Sequence, residues 1–224
     1  MVHLTLLMMA IIIALVVNSV SAMPVTSIPG GTVVPMPVVN YKGTAPHSFG
    51  LGITWSSTTP DILLGSVFGW TSGYGYGSNG YWNGNIGPMA GLNYFDTRTM
   101  TFAFSTPIKG VGGFINYDRD PSNTPTKITV YDAGMNLIES ETLTIVTDGS
   151  ANSGEFHGFL ETSPKISYFT LSNNAVGITK LTIDNGMSPA PVHSTPEFPS
   201  IFLPVSMIIG LLGAVLCIQR TREH

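Results

Sequence analysis

Cysteine is almost missing from this chain of 224 residues, and its one thiol, Cys217, has no second cysteine with which to close a disulfide. Any domain here is therefore held by packing alone, or by a bound metal ion, rather than by covalent staples. Charge is also scarce, with Asp, Glu, Lys and Arg making up 10 % of the residues. The basic side chains are scattered as Lys42, Arg98, Lys109, Arg119, Lys127, Lys165 and Lys180, ahead of Arg220 and Arg222 at the end. No basic stripe forms, which argues against nucleic acid as a partner. No Asn-x-Ser/Thr sequon occurs, so no N-glycan is expected. The HExxH, GxSxG and P-loop signatures are absent, and no cysteine nucleophile stands before residue 217. Glu139 and Glu141 share one face of a strand and would suit a glycosidase pair, but such neighbours on an edge are ordinarily solvated. His47 and His157 are too few and too far apart to suggest a metal site, and His157 reads as a strand residue facing solvent. These gaps leave catalysis without a motif, and a non-enzyme is expected.

Long apolar runs are present, one at each end. Leu4–Val17 reads LTLLMMAIIIALVV and is followed by NSVSA, with small residues at Ser21 and Ala22. Residues 1–22 read as a secretory signal peptide cut between Ala22 and Met23. The n-region offers only the amino terminus and His3 as cations, which leaves a non-cleaved N-terminal anchor as the alternative. At the other end, residues 201–218 are apolar throughout and would span ~27 Å as a helix, close to the thickness of a bilayer core. Residues 219–224 form a short basic tail that should stay in the cytoplasm. Cys217 within the span reads as an ordinary small apolar residue rather than a lipid-attachment site.

Between these ends, residues 23–187 are one domain's worth of chain and are expected to be all-β. Prolines at 24, 29, 35 and 37 predict an extended lead-in with an edge strand near Thr32–Val34. Short β-type runs then come at Ser48–Trp55, Leu63–Thr71, Thr99–Phe104, Gly110–Tyr117, Lys127–Tyr131, Leu137–Val146, Gly154–Leu160, Lys165–Ser172 and Ile178–Asp184. Alternation places Met100, Phe102 and Phe104 on one face and Thr99, Thr101 and Ala103 on the other. Asp132–Asn136, with Gly134 available for a positive φ, predicts a hairpin loop. The regular turn spacing and the lack of a helical period predict a β-sandwich of jelly-roll type. Prolines at 189, 191, 196 and 199 make residues 188–200 a stiff stalk.

The order of Pro196-Glu197-Phe198, apolar span and basic tail resembles the PEF-CTERM sorting signal of methanogenic archaea. That resemblance implies recognition of Pro196, Glu197 and Phe198 by a membrane-embedded archaeosortase, which removes the residues after the motif and passes the protein to a lipid anchor. A plain C-terminal transmembrane anchor is the alternative, and both place the domain on the outer face of the membrane. The middle of the chain resembles exported domains that precede such signals. Its second half, with ITVYDAGMNLIESETL (128–143) and the F-x-G-F of Phe156–Phe159, is similar to galactose-binding-like jelly rolls. Those imply a structural or carbohydrate-binding surface component, so glycans join the membrane and the processing enzyme as expected partners.

Two constellations are candidate sites. Trp70, Tyr74, Tyr76, Tyr81 and Trp82, interleaved with Gly and Asn, would suit stacking on sugar faces. The competing reading is a loop folded over the sandwich with its rings capping the core. Asp118, Asp120 and Asn123 place oxygen donors at alternate positions and would suit Ca²⁺, although Arg119 intrudes and a solvated hairpin tip is the preferred reading. No other cofactor is expected.

Overall fold

The computed structural model describes residues 22–58, 66–92, 98–119 and 124–186. The expected signal peptide up to Ser21, the stalk, the PEF motif and the apolar span all lie outside these residues. The chain divides into two compact units between Gly186 and Met187, and every described residue belongs to the first. Among the described residues the strands are β1 (Met23–Val25), β2 (Thr32–Val33), β3 (Tyr41–Lys42), β4 (His47–Ser48), β5 (Ile53–Ser57), β6 (Val67–Trp70), β7 (Tyr74–Gly75), β8 (Tyr81–Trp82), β9 (Met89–Leu92), β10 (Thr99–Ile108), β11 (Gly110–Tyr117), β12 (Lys127–Tyr131), β13 (Leu137–Thr142), β14 (Glu155–Leu160), β15 (Ile166–Ser172) and β16 (Val176–Asp184). No helix among the described residues is long and apolar enough to cross a membrane.

These strands make an all-β sandwich. One sheet runs β1-β14-β11-β16-β9-β6-β3, with β2 also pairing β16, and the facing sheet runs β13-β12-β15-β10-β5-β4. Pairing within both is antiparallel, which suits sheets with one face packed and one wet. The period-two pattern sets the inner faces. Met100, Phe102 and Phe104 are buried on β10, while Thr99, Thr101 and Ala103 between them are only half-buried. Phe102 sits between Trp55 on one neighbour and Phe169 on the other. Trp55 stacks on Phe68 across the sandwich at 5.2 Å, and Phe159 meets Phe169 edge-on at 6.5 Å, so rings from both sheets fill one core. Each such side chain contributes about 1.5–3 kcal/mol by leaving water.

Several elements differ from the sequence expectation. The run at 48–55 is a hairpin rather than one strand, because Gly50 and Gly52 adopt positive φ and fold His47 back onto Trp55. The strand expected at 137–146 stops at Thr142, since Leu143 and Ile145 turn into the core. At the Asp132–Asn136 loop the left-handed residue is Met135 (φ 60°), not Gly134. The Asp132 carboxylate makes this tolerable by accepting from the main-chain N–H groups of Gly134 and Asn136 at 2.8 and 2.9 Å.

Candidate functional site

The aromatic segment does not present five ring faces to solvent. Tyr74, Tyr76 and Trp82 are 8, 1 and 2 % exposed and form a second small core with Val67 and Met89, against which Trp70 and Ile86 pack. The cause is the β7–β8 hairpin, which opposes Tyr74 to Trp82 and turns both inward. Tyr81, the next residue along, points outward and is half-exposed. The Trp70 ring lies under the Lys42 ammonium, 4.9 Å away. Burial pushes the Tyr76 phenol well above its ordinary pKa, and burial with Tyr76 as neighbour does the same for Tyr74. Of the two readings of this segment, the burial of Tyr74, Tyr76 and Trp82 agrees with a loop whose rings cap the core, while Tyr81 stays at the surface.

The glycines serve that packing. Gly77 and Gly80 have φ of 55° and 86°, and a Cβ would strike the Asp118 carboxylate at one and the Ser150 carbonyl at the other. Between them sits Asn79, fully buried, which sequence reasoning passed over. Its Nδ2 donates to the carbonyls of Tyr117 and Ile145, and its own carbonyl accepts from Asn116 Nδ2, Thr147 Oγ1 and Asn152 Nδ2 at 2.8–3.1 Å. Nothing in the local pattern marks Asn79 apart from the other asparagines, because its partners lie far along the chain.

Of the expected Ca²⁺ donors, Asp120 and Asn123 lie outside the described residues. Asp118 packs its carboxylate over Gly77, and its main-chain N–H donates to the Ala175 carbonyl at 2.8 Å. Among the described residues no three His, Cys, Asp or Glu side chains are grouped to hold a metal.

His157 also departs from expectation. Its side chain is 13 % exposed, with Nδ1 3.0 Å from Glu141 Oε1 and Nε2 3.7 Å from Glu155 Oε2. Glu141 opposes the buried Ile128, and His157 lies two residues from the buried Phe159, so both project between the sheets. The imidazole thus closes the sandwich edge between β13 and β14 instead of facing water.

A groove of about 270 Å³ is lined by Val33–Met36, Ile86–Pro88, Thr179 and Lys180. It exists because β16 pairs with β9 through Val176–Ile178 and with β2 through Thr182 and Ile183, leaving a gap between. Across the gap Thr179 Oγ1 donates to the Pro88 carbonyl at 3.0 Å, and the Val34 N–H donates to the Leu181 carbonyl at 2.7 Å. The β11–β16 register slips at the same place, between Gly112 and Phe114. The bulge puts Lys180 at φ 48°, a left-handed backbone that a lysine adopts at a cost of about 1–2 kcal/mol. Its ammonium lies 5.4 Å from the centre of the Phe114 ring, which meets Phe156 edge-on.

No protein-family model matches the chain. No curated protein matches it either. Among solved structures it is similar to a fucose binding module of Streptococcus pneumoniae, at 10 % identity and a TM-score of 0.37, over 58 % of this chain and 89 % of that one. It is also similar to the lectin domain of lectinolysin complexed with Lewis B antigen, at 12 % identity and a TM-score of 0.31, over 46 % of this chain and 72 % of that one. At these identities no residue role is carried across.

Proposed function

We propose that this chain is an exported, membrane-held β-sandwich that serves the outer face of an archaeal cell as a structural or binding component of the envelope. In this reading residues 1–22 direct export. An archaeosortase-type enzyme recognises Pro196-Glu197-Phe198, and the segment after it is discarded. The sandwich is a jelly roll of the galactose-binding-like kind, spaced from the membrane by the proline-rich stalk. The supporting observation is a coincidence of boundaries. β1 begins at Met23, directly after the expected cut, and β16 ends at Asp184, just before the expected stalk. Apart from Ala22, which is buried in the core, the described sandwich is therefore built from residues that both processing events would leave in place. Intact-mass measurement of the protein extracted from membranes of an archaeosortase-bearing host tests this. A mass without residues 201–224 is expected, and a mass that includes them leaves a plain anchor instead.

Carbohydrate binding is the second reading, and the groove at the β16 bulge favours it over the 70–82 segment. Strain held at one residue beside a cleft is a common mark of a working site. Here apolar walls and the strained Lys180 line one opening, which suits the apolar face of a saccharide. A glycan array probed with the full chain tests it. Binding that disappears in Lys180→Ala with an unchanged melting temperature is expected, and no binding to any sugar leaves the structural reading alone.

A further inference from the structure

Glu161 is 2 % exposed, and neither of its carboxylate oxygens has a hydrogen-bond partner among the described residues. A carboxylate taken out of water without a donor or cation is strongly unfavourable. The nearby cations do not relieve it. Lys109, whose carbonyl accepts from the Glu161 N–H at 2.8 Å, directs its ammonium towards Asp184, 4.0 Å away, and Lys165 is exposed.

The register of β1 explains what this carboxylate faces. Met23 lies opposite Leu160 and Pro24 opposite Phe159. The ladder ends at that first pair, and continuing its register by one residue would bring Ala22 opposite Glu161, where opposed residues of an antiparallel pair project to the same side with Cβ atoms ~5 Å apart. Phe159, two residues before Glu161, is fully buried, so this is the inner face; Ala22 is itself 2 % exposed and belongs to the core. The carboxylate thus starts beside the Ala22–Met23 peptide bond, where the small residues Ser21 and Ala22 predict the export cut.

We infer that Glu161 is the acceptor site for the α-ammonium of Met23 that this cut creates, an inference that rests on the export reading above. Hydrolysis of the Ala22–Met23 bond by a membrane signal-type peptidase consumes one water. Its oxygen ends on the Ala22 carbonyl carbon as a carboxylate, which leaves with the signal peptide. The Met23 nitrogen departs as an amine and takes up a proton. Loss of Ala22 opens space on the inner face beside Glu161, and the new cation at the head of β1 fills it. Among the described residues Glu161 is buried without a partner, and in this inference the processed chain pairs it. β1 has three residues and, among the described residues, pairs with β14 alone, so a charged anchor at its first atom would strengthen this edge. Processing then completes the fold as well as releasing it.

The test uses the full chain, made in an exporting host and extracted in detergent. The amino-terminal peptide is identified by mass spectrometry, and the acylation rate of the Met23 amine is followed from pH 6 to pH 11. An apparent pKa above about 9 is expected, against an ordinary α-amino value of about 8. In Glu161→Gln that value should return towards about 8, which raises acylation at neutral pH on the order of tenfold. A chain that begins elsewhere removes the cut and this inference together. A chain that begins at Met23 with an ordinary amine pKa removes the pairing and leaves export standing. The wild-type profile decides the point even if Glu161→Gln fails to accumulate.

Discussion

Asn79 reaches from the aromatic segment into the sandwich, its side-chain nitrogen 3.0 Å from the carbonyl oxygen of Ile145 in a strand-free stretch of the chain. The same nitrogen holds the Tyr117 carbonyl at 3.1 Å, so one buried amide ties the loop, the end of β11 and the 143–147 segment together. A polar network that is satisfied internally fixes one arrangement, because any shift strands its groups away from water.

Replacing Asn79 with Ala leaves two buried carbonyls without donors. Each is worth about 1–3 kcal/mol, so urea unfolding should show a loss of roughly 3 kcal/mol. An unchanged midpoint would mean that water takes over the contacts and that the network is not holding the loop.

Tyr81 and Trp82 are neighbours on β8 that point opposite ways, half-exposed and 2 % exposed. Trp82→Ala should destabilise by ~3–5 kcal/mol. Tyr81→Ala should stay within ~1 kcal/mol of the parent. Equal losses in thermal melts would contradict the inward packing of the segment.

A Cβ at Gly177 would collide with the Tyr76 hydroxyl and come within 2.5 Å of the Met89 methyl. Gly177→Ala should therefore lose about 1–3 kcal/mol through overpacking. In a Tyr76→Phe background part of that loss should vanish, and a double-mutant cycle measures the coupling. Strict additivity would show that the hydroxyl is not the obstacle.

High pH should unfold the domain steeply. Burial raises the phenol pKa of Tyr74, Tyr76 and Tyr117 in the folded state, while in the unfolded chain each titrates near its ordinary value of about 10. The unfolded state then binds fewer protons above that value, so stability is intact below about pH 10 and falls as pH rises further. Tyr76→Phe should flatten the fall measured by chemical denaturation between pH 9 and 12. An identical slope in the mutant would mean that Tyr76 ionises without unfolding.

Much of the sandwich was legible along the chain. Thr99–Phe104 alternates strictly, and burial of one face of β10 comes from that alone, as it does for Phe169 and Leu171 on β15. Short partners such as β3, β7 and β9 were not, because two to four residues carry too little periodicity to stand out from loops. The aromatic segment was read in its composition, with an inward and an outward direction both left open.

Local pattern determined the all-β class, the inner face of the long strands and the candidate export boundaries, since each depends on neighbours within a few residues. Tertiary structure alone decided that Trp82 turns inward, that Asn79 is the hub, that His157 closes an edge and that Glu161 is buried. Each of those depends on strands distant in sequence being laid side by side. A register of that kind is set by the whole core settling at once, and no local stretch of residues encodes it.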